Sequence, residues 1–192
     1  MRPEPVAIDW LPAGGQVPHA PSLPGAYWLG VAGETWEREA ALALRRAVFC
    51  TEQGLFDGSD EDAEDRHAEL LVALAGSCGM PDQVVGTVRI VEHRPGCWQG
   101  SRLAVAPAWR GTSGVGTALI RLAVGRARAR GARRFVACVQ PQNRALFERL
   151  GWQAEGGVEV QGRPHVRMRA DLRLHPPLAA LPRLRTALRQ AA

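Results

Sequence analysis

Apolar positions along the chain switch several times between two periods, and the switches divide it into elements. Ala26–Val31 is a short apolar run of strand length. Glu34–Thr51 places apolar residues at helical spacing, with acidic residues in the first turn and arginines later, as the helix dipole favours. Glu69–Ala75, Val84–Glu92 and Trp98–Val105 are apolar or alternating runs separated by Gly, Pro and Asp, the pattern of an antiparallel meander. Val115, Leu119, Leu122 and Ala123 describe one face of a helix over Val115–Arg130, ended by Gly131. Phe135–Val139 suits a buried strand, Gln142–Leu150 a helix capped by Gly151, and the runs at Val158–Val160 and His165–Ala170 two final strands. The expected fold class is α/β, with a mixed, mostly antiparallel sheet flanked by helices.

The pattern also sets the expected domain organisation. Residues 1–25, rich in proline and glycine and without an apolar run, read as an extended arm and not as a secretory leader. Residues 26–172 form the folded domain, near the usual size of one core. Residues 173–192 form a basic tail whose Leu178, Leu181, Leu184 and Leu188 fit a docking helix, although Pro182 interrupts it.

Composition narrows the function. Arginines punctuate every apolar stretch, so no membrane span is expected, and the chain reads as soluble and cytoplasmic. The four cysteines lack C-x-x-C spacing or a neighbouring histidine, which argues against a structural zinc or a disulfide framework. The net charge of +5 comes from arginine alone. These arginines are spread from end to end instead of clustering among aromatics, so no nucleic-acid partner is expected. The acidic stretch Asp57–Asp65 does not meet the ligand order of a calcium loop, and no metal site is assigned.

The most informative stretch runs from Leu103 to Gly116. A strand enters a glycine-rich turn that opens directly into a helix, so unpaired backbone N–H groups and the positive helix end converge where an anion would sit. Gly114 and Gly116 allow close backbone approach, and Arg110 adds charge. The lysine of a P-loop is absent, and meander strands precede the turn where a dinucleotide fold has a βαβ unit.

The run L-A-V-x-P-x-W-R-G…G-V-G-x-A-L-I, then R-F-V-A-C-V-Q, then N-R-A-L-F-E-R-L-G-W, resembles the core motifs of GNAT N-acetyltransferases. The resemblance implies a single GNAT domain that takes acetyl-CoA as acyl donor. It implies pantetheine contacts at Leu103 and Val105, pyrophosphate contacts across Arg110, Gly111, Gly114, Val115 and Gly116, and a CoA-arm contact at Asn143. The family's R/Q-x-x-G-x-G spacing would put arginine or glutamine at Gly111; here Arg110 stands one position earlier. The helix position where many members carry a leaving-group tyrosine is Phe147, and the sole tyrosine is Tyr27.

A narrower resemblance lies in R-R-A-V-F-C-T-E-Q-G at Arg45–Gly54, in Asp65-Arg66-His67, in V-G-T-V-R at Val85–Arg89, and in G-R-P-H-V-R-M at Gly162–Met168. It is similar to GNAT subfamilies that include the nitrogen-starvation N-acetyltransferases, which implies a place in nitrogen metabolism. Acyl transfer needs a neutral amine, an oxyanion stabiliser and a departing thiolate. Glu52 is the first candidate for general base, since a partly buried glutamate can have a raised pKa. His165 and His67 are alternatives, and water, Cys138 or His165 could protonate the thiolate. Glu52, Gln53, His67, Arg89 and Arg102 are the candidate acceptor-binding residues. The acidic loop would attract a cationic amine; Arg89 and Arg102 would instead hold a carboxylate. The expected activity is acetyl transfer to a primary amine of a small molecule, with a homodimer left open. Two rivals stand beside it: a CoA-binding regulatory module without turnover, and an acyl-homoserine-lactone-type synthase using S-adenosylmethionine.

Overall fold

The computed structural model describes residues 26–77, 80–111, 114–179 and 184–187. Two opposed apolar faces organise them. Alternation along β2 (Glu69–Ser77) sends Leu71, Ala73 and Ala75 to one side of a sheet and Leu70, Val72 and Leu74 to the other. The first side packs against α2 (Val115–Ala129), which buries Val115, Leu119, Leu122 and Ala123. The second packs against α1 (Thr35–Arg46) through Ala41. A sheet buried on both faces requires apolar residues at consecutive strand positions, and β3 (Met80–Arg94) supplies them from Val84 to Val91.

The other strands are β1 (Ala26–Val31), β4 (Cys97–Val105), β5 (Arg134–Val139), β6 (Trp152–Val160), β7 (Arg163–Ala170) and β8 (Leu184–Ala187). Their order is β6-β7-β5-β4-β3-β2-β1-β8. All neighbours are antiparallel except β4 and β5, which run parallel because α2 forms the crossover between them. That parallel pair holds register only over Cys97–Gly100 against Arg134–Ala137. On the other edge of β4 the register with β3 slips between Thr87/Ala104 and Arg89/Ser101, leaving Arg102 and Leu103 opposite Val88 alone. This is a β-bulge, and Arg102 takes φ 55 to make it. The bulge bends β4 just where it leaves β5.

The helix expected over Glu34–Thr51 changes type within its length. After Arg46 the chain continues as a π-helical turn, Ala47–Glu52, in which the Gln53 N–H reaches the Val48 carbonyl at 3.0 Å. Such turns occur mostly at functional sites. Beyond β5, Pro141–Asn143 form a 3₁₀ turn that leads into α3 (Arg144–Arg149), and Gly151 follows at φ 80.

The tail corrects one expectation. Leu184–Ala187 pair antiparallel with β1 as a strand and do not form a docking helix. Before it, Pro176–Leu178 cross α2 at Gly125, where an added Cβ would lie 2.8 Å from the Pro176 carbonyl oxygen. The Leu178 N–H bonds the Gly125 carbonyl there, a close approach that glycine permits. The arm over residues 1–25 lies outside the described residues. Among those residues, no helix is long and apolar enough to cross a membrane.

Candidate active site

Where β4 and β5 part, a cavity of about 230 Å³ passes between them from one face of the sheet to the other. On the α1 face its wall carries the polar groups: Gln53 from the π-helical turn, Arg102 from the bulge, Cys138 and Gln140 from the end of β5, and His165 from β7. On the α2 face the wall is apolar. Leu103, Asn143 and Phe147 also line it, so three residues named for the donor do meet in one place.

His165 is almost completely buried, and its Nδ1 lies 3.0 Å from the Arg163 carbonyl oxygen. A carbonyl can only accept, so Nδ1 carries the proton, and the neutral ring keeps its lone pair on Nε2. Cys138 lies on the same sheet face. Burial pushes its thiol above the ordinary value, with Arg167 opposing weakly, so it stays protonated at neutral pH. A protonated thiol is a proton donor and a poor nucleophile. The Gln140 amide donates to Gln53 Oε1 at 2.9 Å, and Gln142 donates to Gln140 at 2.7 Å, which fixes the floor between the two motifs.

The other candidates fall elsewhere. Glu52 is exposed, does not line the cavity, and is held by Arg110 through two hydrogen bonds of 2.7 and 2.6 Å. Those bonds hold its carboxyl below the usual range, the opposite of the raised pKa expected of a general base. Arg110 in turn also donates to the Val105 carbonyl, so it faces Glu52 and β4 and is not free at the glycine turn. His67 is exposed beyond the acidic loop and outside the cavity wall. Tyr27 is fully buried away from the cavity, and burial pushes its hydroxyl up to about 12.

The acidic loop and the candidate carboxylate-binding arginines cancel one another. Arg45, fully buried, bonds Asp60 at 2.7 Å and Asp65 at 2.6 Å. Arg89, also buried, bonds Asp62, Glu64 and Ser101. Arg102 bonds Asp60 and Asp62 and lies over the Phe56 ring at 4.4 Å. Burial alone would raise Asp65, yet bonds from Arg45 and the Asp62 backbone hold it far below its ordinary value. Neither a cationic amine nor a substrate carboxylate is offered an uncompensated charge here. The network is a buried brace that fixes the π-helical turn against the bulge.

The glycine turn keeps the expected form at the residues described. Gly114 takes φ 69 and precedes Val115, the first residue of α2. A Cβ at Gly116 would lie 3.7 Å from Val105 Cγ2, so this helix start lies against the end of β4. Gly111 (φ 77) also has the left-handed conformation. The cavity therefore has a dipole-positive helix end beyond Leu103, which suits a phosphate-bearing donor. Gln140, Ser101 and Gln161 line the cavity but escaped sequence reading, because a glutamine after a strand carries no spacing signal. Among the described residues, no group of three or more His, Cys, Asp or Glu is placed to hold a metal.

A helix opening on glycines beside a strand that parts from its parallel neighbour, with proton-transfer groups along the gap, defines an acyl-CoA-dependent acyltransferase. The sequence profile of the acetyltransferase (GNAT) family matches residues 35–152, and the chain belongs to that family. A Lactobacillus plantarum protein classed as an N-acetyltransferase superposes with a TM-score of 0.68 at 26% identity, over 76% of this chain and 98% of that one. ElaA of Escherichia coli superposes at 0.64 with 20% identity, over 76% and 98%. An aminoglycoside 6'-N-acetyltransferase complexed with coenzyme A superposes at 0.61 with 14% identity, over 75% and 96%; these last two share the fold. None of the curated proteins compared matches the chain at a significant level. The protein is a GNAT-family acyltransferase, which moves an acyl group from acyl-CoA to an amine.

Proposed function

We propose that this acyltransferase uses the cavity between β4 and β5 to acylate the primary amine of a small molecule, acetyl being the simplest group transferred. The observation that carries the reading is the pairing of His165, with Nε2 unprotonated, and Cys138, with its thiol protonated, on one face of the gap. The CoA arm would run along Leu103 and Val105 past Asn143 and Phe147, with its pyrophosphate at Gly111, Gly114, Val115 and Gly116. The amine arrives on the α1 face and gives its proton to His165 Nε2. Its nitrogen forms the C–N bond while the C–S bond breaks, and the electron pair leaves with the thiolate. Cys138 or water then protonates that thiolate. A thiol of ordinary pKa about 8.5 is a fair leaving group, so Phe147 at the usual tyrosine position does not prevent turnover.

Both motifs of the narrower resemblance end at the same wall, Gln53 after the first and His165 within the second. This supports an acceptor site built from them, and with it a nitrogen-metabolism substrate of the kind handled by nitrogen-starvation N-acetyltransferases. A thiol-release assay over an amine panel, with S-adenosylmethionine included, tests the reading. Release with a simple amine supports it, and release with S-adenosylmethionine alone indicates the lactone-synthase rival. CoA binding without release on any acceptor indicates the regulatory module.

A further inference from the structure

We infer that the donor site continues beyond the acetyl position into an apolar arm that takes a short linear acyl chain of roughly four to six carbons. The inference rests on the reading of the cleft as the acyl-CoA site and concerns the part of it that no acetyl group would reach.

The cavity is divided by chemistry. His165, Cys138, Gln140, Gln53 and Arg102 lie on the α1 face, where an amine must meet the thioester carbonyl. The α2 face presents Val88, Ile120, Ala123, Phe135, Phe147 and Trp152. Each of these is at most 7% exposed, yet each borders open volume. Interiors pack with few voids larger than a water molecule, and a persistent apolar space is one that an apolar ligand can fill. The only polar atom those six side chains carry, Trp152 Nε1, presents no surface and has no partner. Nothing on that wall would anchor a polar group.

Position along the strands separates this arm from the path of the CoA chain. Leu103 and Val105 lie on the side of the gap nearest the start of α2. Phe135 lies on the opposite side, in register with Trp98 and below the last paired residues, Gly100 and Ala137. Strand residues advance about 3.3 Å each, so Val105 and Gly100 are separated by roughly 16 Å. Gly100 stands at the vertex between the two. A Cβ there would meet the Phe135 ring at 3.0 and 3.1 Å, so glycine keeps the passage open past the ring edge. Trp152 stacks edge-on to Phe135 and Phe147, with centroids 5.8 and 5.0 Å apart, which gives the arm a rigid aromatic end. At about 30 Å³ per water-sized unit, the whole cavity holds roughly seven non-hydrogen atoms. An acetyl group and a thioester fill only part of it.

Calorimetric titration with CoA and with acetyl-, butyryl-, hexanoyl- and decanoyl-CoA tests the arm. Affinity should rise up to about fourfold per methylene through hexanoyl and then level off or fall. Equal affinity of acetyl- and hexanoyl-CoA would overturn the inference while leaving the acyl-CoA reading intact. Failure of every one of these compounds, CoA included, to bind would instead remove the reading beneath it. Ala123→Phe should bring the hexanoyl-to-acetyl affinity ratio towards one. Phe135→Leu, which enlarges the arm and keeps it apolar, should move the preferred length upward by one or two carbons, and serves if the first variant does not fold. A length preference unchanged in the folded variant would contradict the arm.

Discussion

At the residue scale the structure exchanges the roles of two titratable groups. Glu52, the first choice from sequence, is tied to Arg110 outside the cavity, and His165 inherits the place of the base. His165→Gln should therefore lower kcat by roughly 10²–10⁴-fold and remove the acidic limb of the pH–rate profile, which stopped-flow thiol release can measure. Glu52→Gln should do the reverse of disabling the enzyme. It leaves Arg110 without its carboxylate, beside a site that takes phosphates, so CoA should bind several-fold more tightly and kcat should fall less than tenfold. Calorimetry and initial rates on that variant separate the two assignments. Sequence could not distinguish them, because V-F-x-x-E-Q shows which residues are near one another but not which way a π-helical turn points them. The glutamine that does reach the cavity is the neighbouring Gln53.

At the scale of elements, the acidic loop is the clearest example of a pattern that was visible and yet ambiguous. Its charges were evident from Asp57 to Asp65, and so were arginines at 45, 89 and 102, but these positions lie on three different elements. Only the packing of α1 on β3 and the bulge in β4 shows that they neutralise one another. Removing one partner of a buried pair leaves an uncompensated charge, so Arg45→Met should lower unfolding stability by about 3–5 kcal/mol in urea denaturation. The same logic governs the segment after β7. His175 is buried, and burial pushes its ring below the ordinary value near 6.5, with the Leu150 backbone and nearby Arg121, Asp171 and Arg128 making smaller contributions. Its unfolded form therefore binds protons that the folded form refuses. This contribution to stability is complete above about pH 6.5 and is lost as pH falls from there towards the folded pKa. His175→Leu should flatten the urea midpoint across that window, and an unchanged slope would show that another group titrates.

At the scale of the whole molecule, the strand and helix order was legible because each element carries its period on its own sequence. The runs at Val84–Glu92 and Val115–Arg130 fall within a residue or a few of β3 and α2. Three features were not legible, each for a physical reason. β6 begins at Trp152 because it pairs with the whole of β7, although most of its residues are exposed and show no alternation. β8 forms by pairing with β1, at the far end of the chain, and a leucine spacing that also fits a helix does not reveal it. The cavity arises from a bulge and a parted parallel pair, and neither leaves a composition signal in Arg102 or Gly100. Acyl-CoA binding in the gap they create, with its phosphates at the start of α2, is what the rest of the chemistry depends on. Isothermal titration of the protein and of Gly116→Asp with acetyl-CoA tests this directly, since a side chain at position 116 meets only ordinary contact with Val105. Micromolar binding to the wild type, weakened at least tenfold by the added carboxylate, is expected. Equal affinity in both proteins, or no binding to the wild type at millimolar acetyl-CoA, would contradict it.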